Sequence, residues 1–189
     1  DLSSAASIAF TELKKLGINT IRSGISLQNK ESRKNLLYTT PSTDEEENLS
    51  LIGWAMLDDH PVLKEIYDSW MRGEDYFPVL CGDALKSYYE KSKSNFKLPV
   101  THSQDYEQHG FFMAFSHGMF YGWAEKTFND GEKNILKRVA SVVDLTFKRY
   151  FDLQKAEANA REAQIEASLE RVRSKTMAMH NSNDVGETV

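Results

Sequence analysis

The chain has 189 residues, 40% of them hydrophobic, with 23 Lys and Arg against 28 Asp and Glu, a formal net charge of −5 and a single cysteine. This is enough apolar material for one globular core plus an extension, while the acidic balance argues against nucleic acid as the main partner, because a phosphate-binding surface needs clustered Lys and Arg. One cysteine excludes an internal disulfide framework and fits a reducing compartment, and no apolar run reaches the roughly 20 residues that span a bilayer, so no direct membrane contact is expected.

In chain order, Leu2, Ala6, Ala9, Leu13 and Leu16 recur at spacings of four and three, with Gly17 behind them. That spacing predicts an amphipathic first helix, capped by Ser3 or Ser4 and stopped by the glycine. Residues 18–28 and 34–40 read as two strands joined through the turn segment Asn29–Ser32, a hairpin. The acidic run Asp44–Glu47 reads as a solvated loop. Residues 49–57 are apolar on both faces, as a central strand is. Asp58 or Asp59 is placed to cap a helix over 61–72 that has proline in its first turn and Gly73 behind it. Residues 76–80 contain Pro78 and read as a short edge strand. Gly82 and Asp83 open a further helix to about Lys93, and 94–106 reads as loop. Residues 109–115 and 119–125 form a second hairpin turning at Ser116–Gly118. From Asp130, taken as a cap, no glycine or proline interrupts the chain between Gly131 and Gly186. Strong helix formers dominate that stretch, so it predicts one long helix.

Antiparallel hairpins with interspersed helices give an α+β fold. The two terminal helices are expected to pack together on one sheet face, the last of them through Ile135, Val139, Val142, Val143 and Phe147. Farther along, Leu153, Ala156, Ala160, Ala163 and Ala167 keep alternating spacings of three and four. Ile165, Leu169, Val172, Thr176 and Met179 continue in a different phase. A helix too long to bury against one small domain, with an apolar seam, calls for a partner helix. The alanine-lined seam buries little area, so that pairing is expected to be weak, and a weak, phase-shifted coiled coil is suited to two close-lying arrangements.

The element order, the phrases LKKLGI (13–18) and HPVLKEIYDSWMRGE (60–74), and the helix DLQKAEANAREAQIEASLERVRSKTMAMHNSND (152–184) resemble the GAF domain and the connector that follows it in bacterial sensor histidine kinases and related multi-domain regulators. The resemblance covers the whole chain. It implies a GAF-like antiparallel sheet flanked by helices over 1–150, a coiled-coil signalling helix over 151–183, and the start of a following domain at 184–189, where Asp184–Val185 echoes Asp1–Leu2. It further implies a cytoplasmic sensor, a homodimer through its terminal helices, with a small-molecule cavity between one sheet face and the middle helices. The lack of an initiator methionine fits a segment of a longer protein.

The chemical motifs are weak beside this. Glu170–Arg173 followed by His180 resembles one kind of phosphoacceptor helix, but the histidine is one residue too far along and Asn181 stands where that kind has an acid. Cys81 is followed by Gly82, where bilin-attaching GAF domains have a Cys–His pair, and reads as a small buried hydrophobe. His60, His102, His109, His117 and His180 are scattered without metal-ligand spacing, so no metal is expected. No nucleophile elbow or phosphate loop is present, and the chain reads as non-catalytic. Aromatics are the better lead. Trp54, Tyr76, Phe77, Tyr88, Tyr89, Phe111, Phe112, Phe115, Tyr121 and Trp123 fall in elements that would wall a GAF pocket. In the first strand Arg22, Gly24 and Ser26 share one face, opposite Ile21, Ile25 and Leu27. The expected ligand site is Trp54 and Trp123 on the sheet face turned away from the terminal helices, Tyr88 as the opposing wall, and Arg22 as the handle for an anionic group. The competing reading is a ligand-free dimerisation scaffold with a filled pocket.

Overall fold

Four helices and six strands follow one another among residues 2–39, 50–58, 60–93 and 107–184, the part of the chain that the computed structural model describes; side chains are described over 7–39, 53–58, 60–91 and 107–179. The order is α1 (Leu2–Lys15), β1 (Arg22–Gln28), β2 (Lys34–Thr39), β3 (Ser50–Met56), α2 (Pro61–Arg72), β4 (Val79–Leu80), α3 (Gly82–Lys93), β5 (Gln108–Phe115), β6 (Gly118–Ala124) and α4 (Asp130–Asp184). The strands make one antiparallel sheet in the order β3-β2-β1-β6-β5-β4, so the fold is α+β. The acidic run, residues 94–106, residues 185–189 and the side chains of Ser3, Ser4 and His180 lie outside the described residues. The chain divides into two compact units, 1–148 and 149–189.

Local chemistry sets the boundaries. Gly17 takes φ 83° after α1, and the Ile18 N–H returns to the Leu13 carbonyl at 3.0 Å, which closes the helix in a glycine-dependent stop. Asn29 makes the first hairpin: its Oδ1 accepts from the Glu31 N–H at 3.0 Å and the Ser32 N–H at 2.8 Å. The cap of α2 is His60 rather than an aspartate, its Nδ1 accepting from the Val62 N–H at 3.2 Å. The cap of α4 is Asn129, one residue before the one expected. Its Oδ1 accepts from the Glu132 N–H at 2.9 Å while the Glu132 carboxylate accepts from the Asn129 N–H at 2.8 Å, a reciprocal capping box.

The sheet buries both faces. Directly paired residues in an antiparallel ladder share a face, so the register assigns Ile25, Phe120 and Met113 to one side and Arg22, Trp123, Tyr121 and Phe112 to the other. The first side meets the terminal helices: Phe10 of α1 stacks on Phe120 at 5.0 Å and Phe147 of α4 meets Phe115 at 5.1 Å. The second side forms a core with Leu63, Ile66, Trp70, Leu85 and Tyr88 of α2 and α3.

Three further expectations need correction. β3 is an edge strand, not a central one. The buried stripe of α1 runs through Ser7, Phe10 and Leu13, leaving Leu16 exposed. The stripe of α4 runs through Leu136, Ala140, Val143 and Phe147, and Val142 is 64% exposed. Leu13, Val143 and Phe147 are buried as predicted; the rest of each described stripe is shifted around the helix because apolar residues flank the true stripe on either side.

Candidate functional site

Arg22 opens β1 on the face covered by α2 and α3, directly across from Trp123 of β6. Its guanidinium carbon lies 5.0 Å from the Tyr89 ring centre, 6.0 Å from Tyr88 and 6.0 Å from Trp123. Rings at this range attract a cation through their negative faces. Tyr88 and Tyr89 are consecutive on α3, about 100° apart around the helix, so one faces the sheet while the other reaches its rim. Tyr88 is buried and lies 5.4 Å from Trp123, ring to ring. Tyr89 is half-buried, and its hydroxyl donates to Gln108 Oε1 at 2.9 Å.

Two glycines make space for the rings. A Cβ at Gly24, opposite Tyr121, would stand 2.7 Å from the Tyr121 Oη; one at Gly110, opposite Trp123, would stand 3.1 Å from the indole. Side chains at those two places would push the aromatics out of register with Arg22.

Burial works against the Arg22 charge, but the neighbouring Tyr88, Tyr89 and Tyr121 hydroxyls outweigh it and hold its pKa above the ordinary arginine value. Burial likewise pushes the Tyr88 phenol up, against the pull of Arg22. Tyr121 is pushed up to about 12, chiefly by burial. At neutral pH the site is therefore one fixed cation among neutral phenols. Two of its donors are unanswered: Arg22 Nε and Trp123 Nε1 are both buried and meet no acceptor at hydrogen-bond geometry, although Tyr88 stands close to both. No carboxylate pairs with Arg22 among the described residues.

Arg22, Tyr88 and Trp123 thus come together on the face turned away from the terminal helices. Trp54 does not join them. It pairs with Leu36, which the register places on the opposite face, and it is 43% exposed with the Lys34 ammonium 4.5 Å from its ring centre. Phe111 and Phe115 also lie on that opposite face, in the core under the terminal helices. Cys81 is exposed, not buried. Gln108, which anchors Tyr89, has no sequence signal; it is an ordinary amide made structural by its place at the head of β5.

Two other features have chemistry. His60 Nε2 lies 2.9 Å from Ser87 Oγ while Nδ1 accepts from the Val62 N–H, which fixes the neutral tautomer with the proton on Nε2. Burial, helped by Lys91, lowers its pKa. An open cleft of about 390 Å³ is lined by Lys30, Trp70, Arg72, Phe115 and Ser116 among others. Its cations are engaged, Arg72 with Glu65 at 2.9 Å and Glu74 at 2.6 Å, and Lys30 over Trp70 at 5.5 Å. Among the described residues no cluster of three or more His, Cys, Asp or Glu is placed to hold a metal ion, and no helix is long and apolar enough to cross a membrane.

No family model matches this chain, and neither does any curated protein or solved structure.

Proposed function

We propose that this chain is a cytoplasmic, non-catalytic sensory module of a bacterial signal-transduction protein, GAF-like in plan, which binds a small ligand on the sheet face under α2 and α3 and passes its state into a dimeric helix. The observation that carries this reading is the pair of unanswered donors, Arg22 Nε and Trp123 Nε1, in the aromatic cage. Leaving a buried donor unpaired costs about 1–3 kcal/mol, more for a charged group, so an arrangement that keeps two side by side is matched to an acceptor from outside. The helix supplies the second half. Every residue from Asp152 to Met179 is exposed, and Leu153, Ile165, Leu169 and Val172 are among them. On the globular unit Ile8, Val142 and Leu145 are exposed on the terminal helices. Covering such side chains is worth roughly 1.5–3 kcal/mol each, which favours a second copy.

A specific observation favours the rival, a scaffold that dimerises without a ligand: Arg22 itself occupies the space between Tyr88, Tyr89 and Trp123. Native mass spectrometry of the purified chain separates the two. A retained small molecule on a dimer is expected from the sensor; a bare dimer supports the scaffold. Light scattering over a concentration series, repeated on the Leu169→Lys, Val172→Lys double variant, tests the helix. Weakened association is expected, and a monomer at tens of micromolar for the parent chain would overturn both readings.

A further inference from the structure

The aromatic cage specifies the chemistry of what it binds. Resting on the sensor reading above, we propose that the ligand's anchoring group is a carboxylate, received between Arg22 Nε and Trp123 Nε1. Both atoms are donors and neither can accept. They are cross-strand partners on adjacent antiparallel strands and share a face, so their side chains start about 4.5–5.5 Å apart. A carboxylate has two oxygens and several lone pairs and answers both donors at once; its charge also balances a guanidinium for which the described residues offer no acid. A neutral carbonyl would answer the donors and leave the charge. A cation would meet Arg22 where it already fills the rings.

Tyr89 is the way in. It is the half-buried ring of the cage, and its hydroxyl is tethered to Gln108 at 2.9 Å, whereas Tyr88 and Trp123 are buried in the core. Rotating Tyr89 outward breaks that hydrogen bond, parts the ring from the Arg22 guanidinium at 5.0 Å and from Tyr88 at 5.7 Å, and opens the Arg22 edge without disturbing the sheet. The structure therefore assigns Trp123 as a ligand donor rather than a passive wall, and Tyr89 as a gate.

The test uses the full chain with four probes: formate, benzoate, neutral benzamide and inorganic phosphate, followed by thermal shift and titration calorimetry. Formate and benzoate are expected to raise the melting temperature while benzamide and phosphate do not. Trp123→Phe keeps the ring and removes the donor, and is expected to weaken benzoate about tenfold or more, the equivalent of one hydrogen bond to a charged group. Arg22→Lys keeps the charge but not the Nε geometry and is expected to abolish protection. Tyr89→Phe, which cuts the tether, is expected to speed benzoate binding. Protection by neither carboxylate, equal protection by benzamide, or unchanged affinity in Trp123→Phe would overturn the assignment; so would protection by phosphate equal to or greater than that by the carboxylates, which would make the site a general oxyanion or phosphate holder. Failure here is distinct from failure of the sensor reading: a neutral molecule retained on the dimer sinks the carboxylate alone, whereas carboxylate binding that leaves helix association unchanged sinks the signalling role alone.

Discussion

The two faces of the sheet are built to different rules. Under the terminal helices, Ile25, Phe111, Met113, Phe115 and Phe120 are buried among rings and aliphatic groups. Under α2 and α3 the same strands carry Arg22, Ser26, Thr39, Tyr121 and Trp123 beside their apolar neighbours. Most of the polar groups there answer one another. Asn35 Nδ2 donates to Ser26 Oγ at 3.0 Å, and its Oδ1 accepts from the Ala55 N–H at 3.0 Å. Thr39 Oγ1 donates to the Ser23 carbonyl at 3.1 Å. The first face provides cohesion. The second spends part of its cohesion on polar placement, and two of its unanswered donors, Arg22 Nε and Trp123 Nε1, meet at the cage. Where one side of a sheet is uniform and the other is not, the irregular side is where binding chemistry is to be sought.

The largest expected effect tests the cohesive face. Phe120 is 0% exposed and lies between Phe10 at 5.0 Å and Phe111 at 5.4 Å. Phe120→Ala removes a ring from a site that cannot close over it, and a loss of about 3–5 kcal/mol in denaturant unfolding is expected. A loss below about 1 kcal/mol would mean that this face is not the structural one. A smaller effect, about 1–3 kcal/mol, is expected for Asn35→Ala on the polar face, because the buried Ala55 N–H loses its acceptor. Hydrogen exchange would show it as faster opening of the Ala55 amide, with Phe120 and its strand unchanged. Equal acceleration on both faces would erase the distinction between them.

The smallest effect comes from His60. Its folded pKa lies below the ordinary histidine value through burial and then Lys91, so the native state prefers the neutral ring. The unfolded chain takes up the proton first. Stability is therefore full above the ordinary histidine range, falls as pH drops through it, and levels off below the lowered folded value. Protonation at Nδ1 also removes the acceptor that caps α2. A His60→Asn variant is expected to keep a capping side chain and lose this slope in melting temperature against pH; a slope of the same size in the variant would assign the effect to other groups.

Much of the fold is legible in the residues because local chemistry decides it. Pro61 and Gly73 bracket α2, Ser116–Gly118 turns the second hairpin, and the absence of glycine and proline predicts α4. What stays hidden is phase. A stripe flanked by apolar neighbours has a clear period, yet the choice between Val142 and Val143 depends on the sheet beneath. The same holds for Trp54. Parity groups it with Met56, but only the pairing of Leu36 with Leu27 tells which face that group occupies. Arg22 and Trp123 are legible as members of one site through the family resemblance, but their direct pairing across adjacent strands is not, because cross-strand register between segments about a hundred residues apart has no local signature.

The Asn129–Glu132 box has a consequence beyond its own two hydrogen bonds. An α-helix advances about 100° per residue, so whatever fixes its first turn fixes the bearing of the side chains that follow within the globular unit. A slip of one residue at the start of α4 would bring Val142 to where Val143 now sits and swing Val143 to Asp144's position beside the β5–β6 turn. Two side chains at one end thus act as a reading frame for the helix. They determine which apolar residues of the globular unit close the core and which stay exposed.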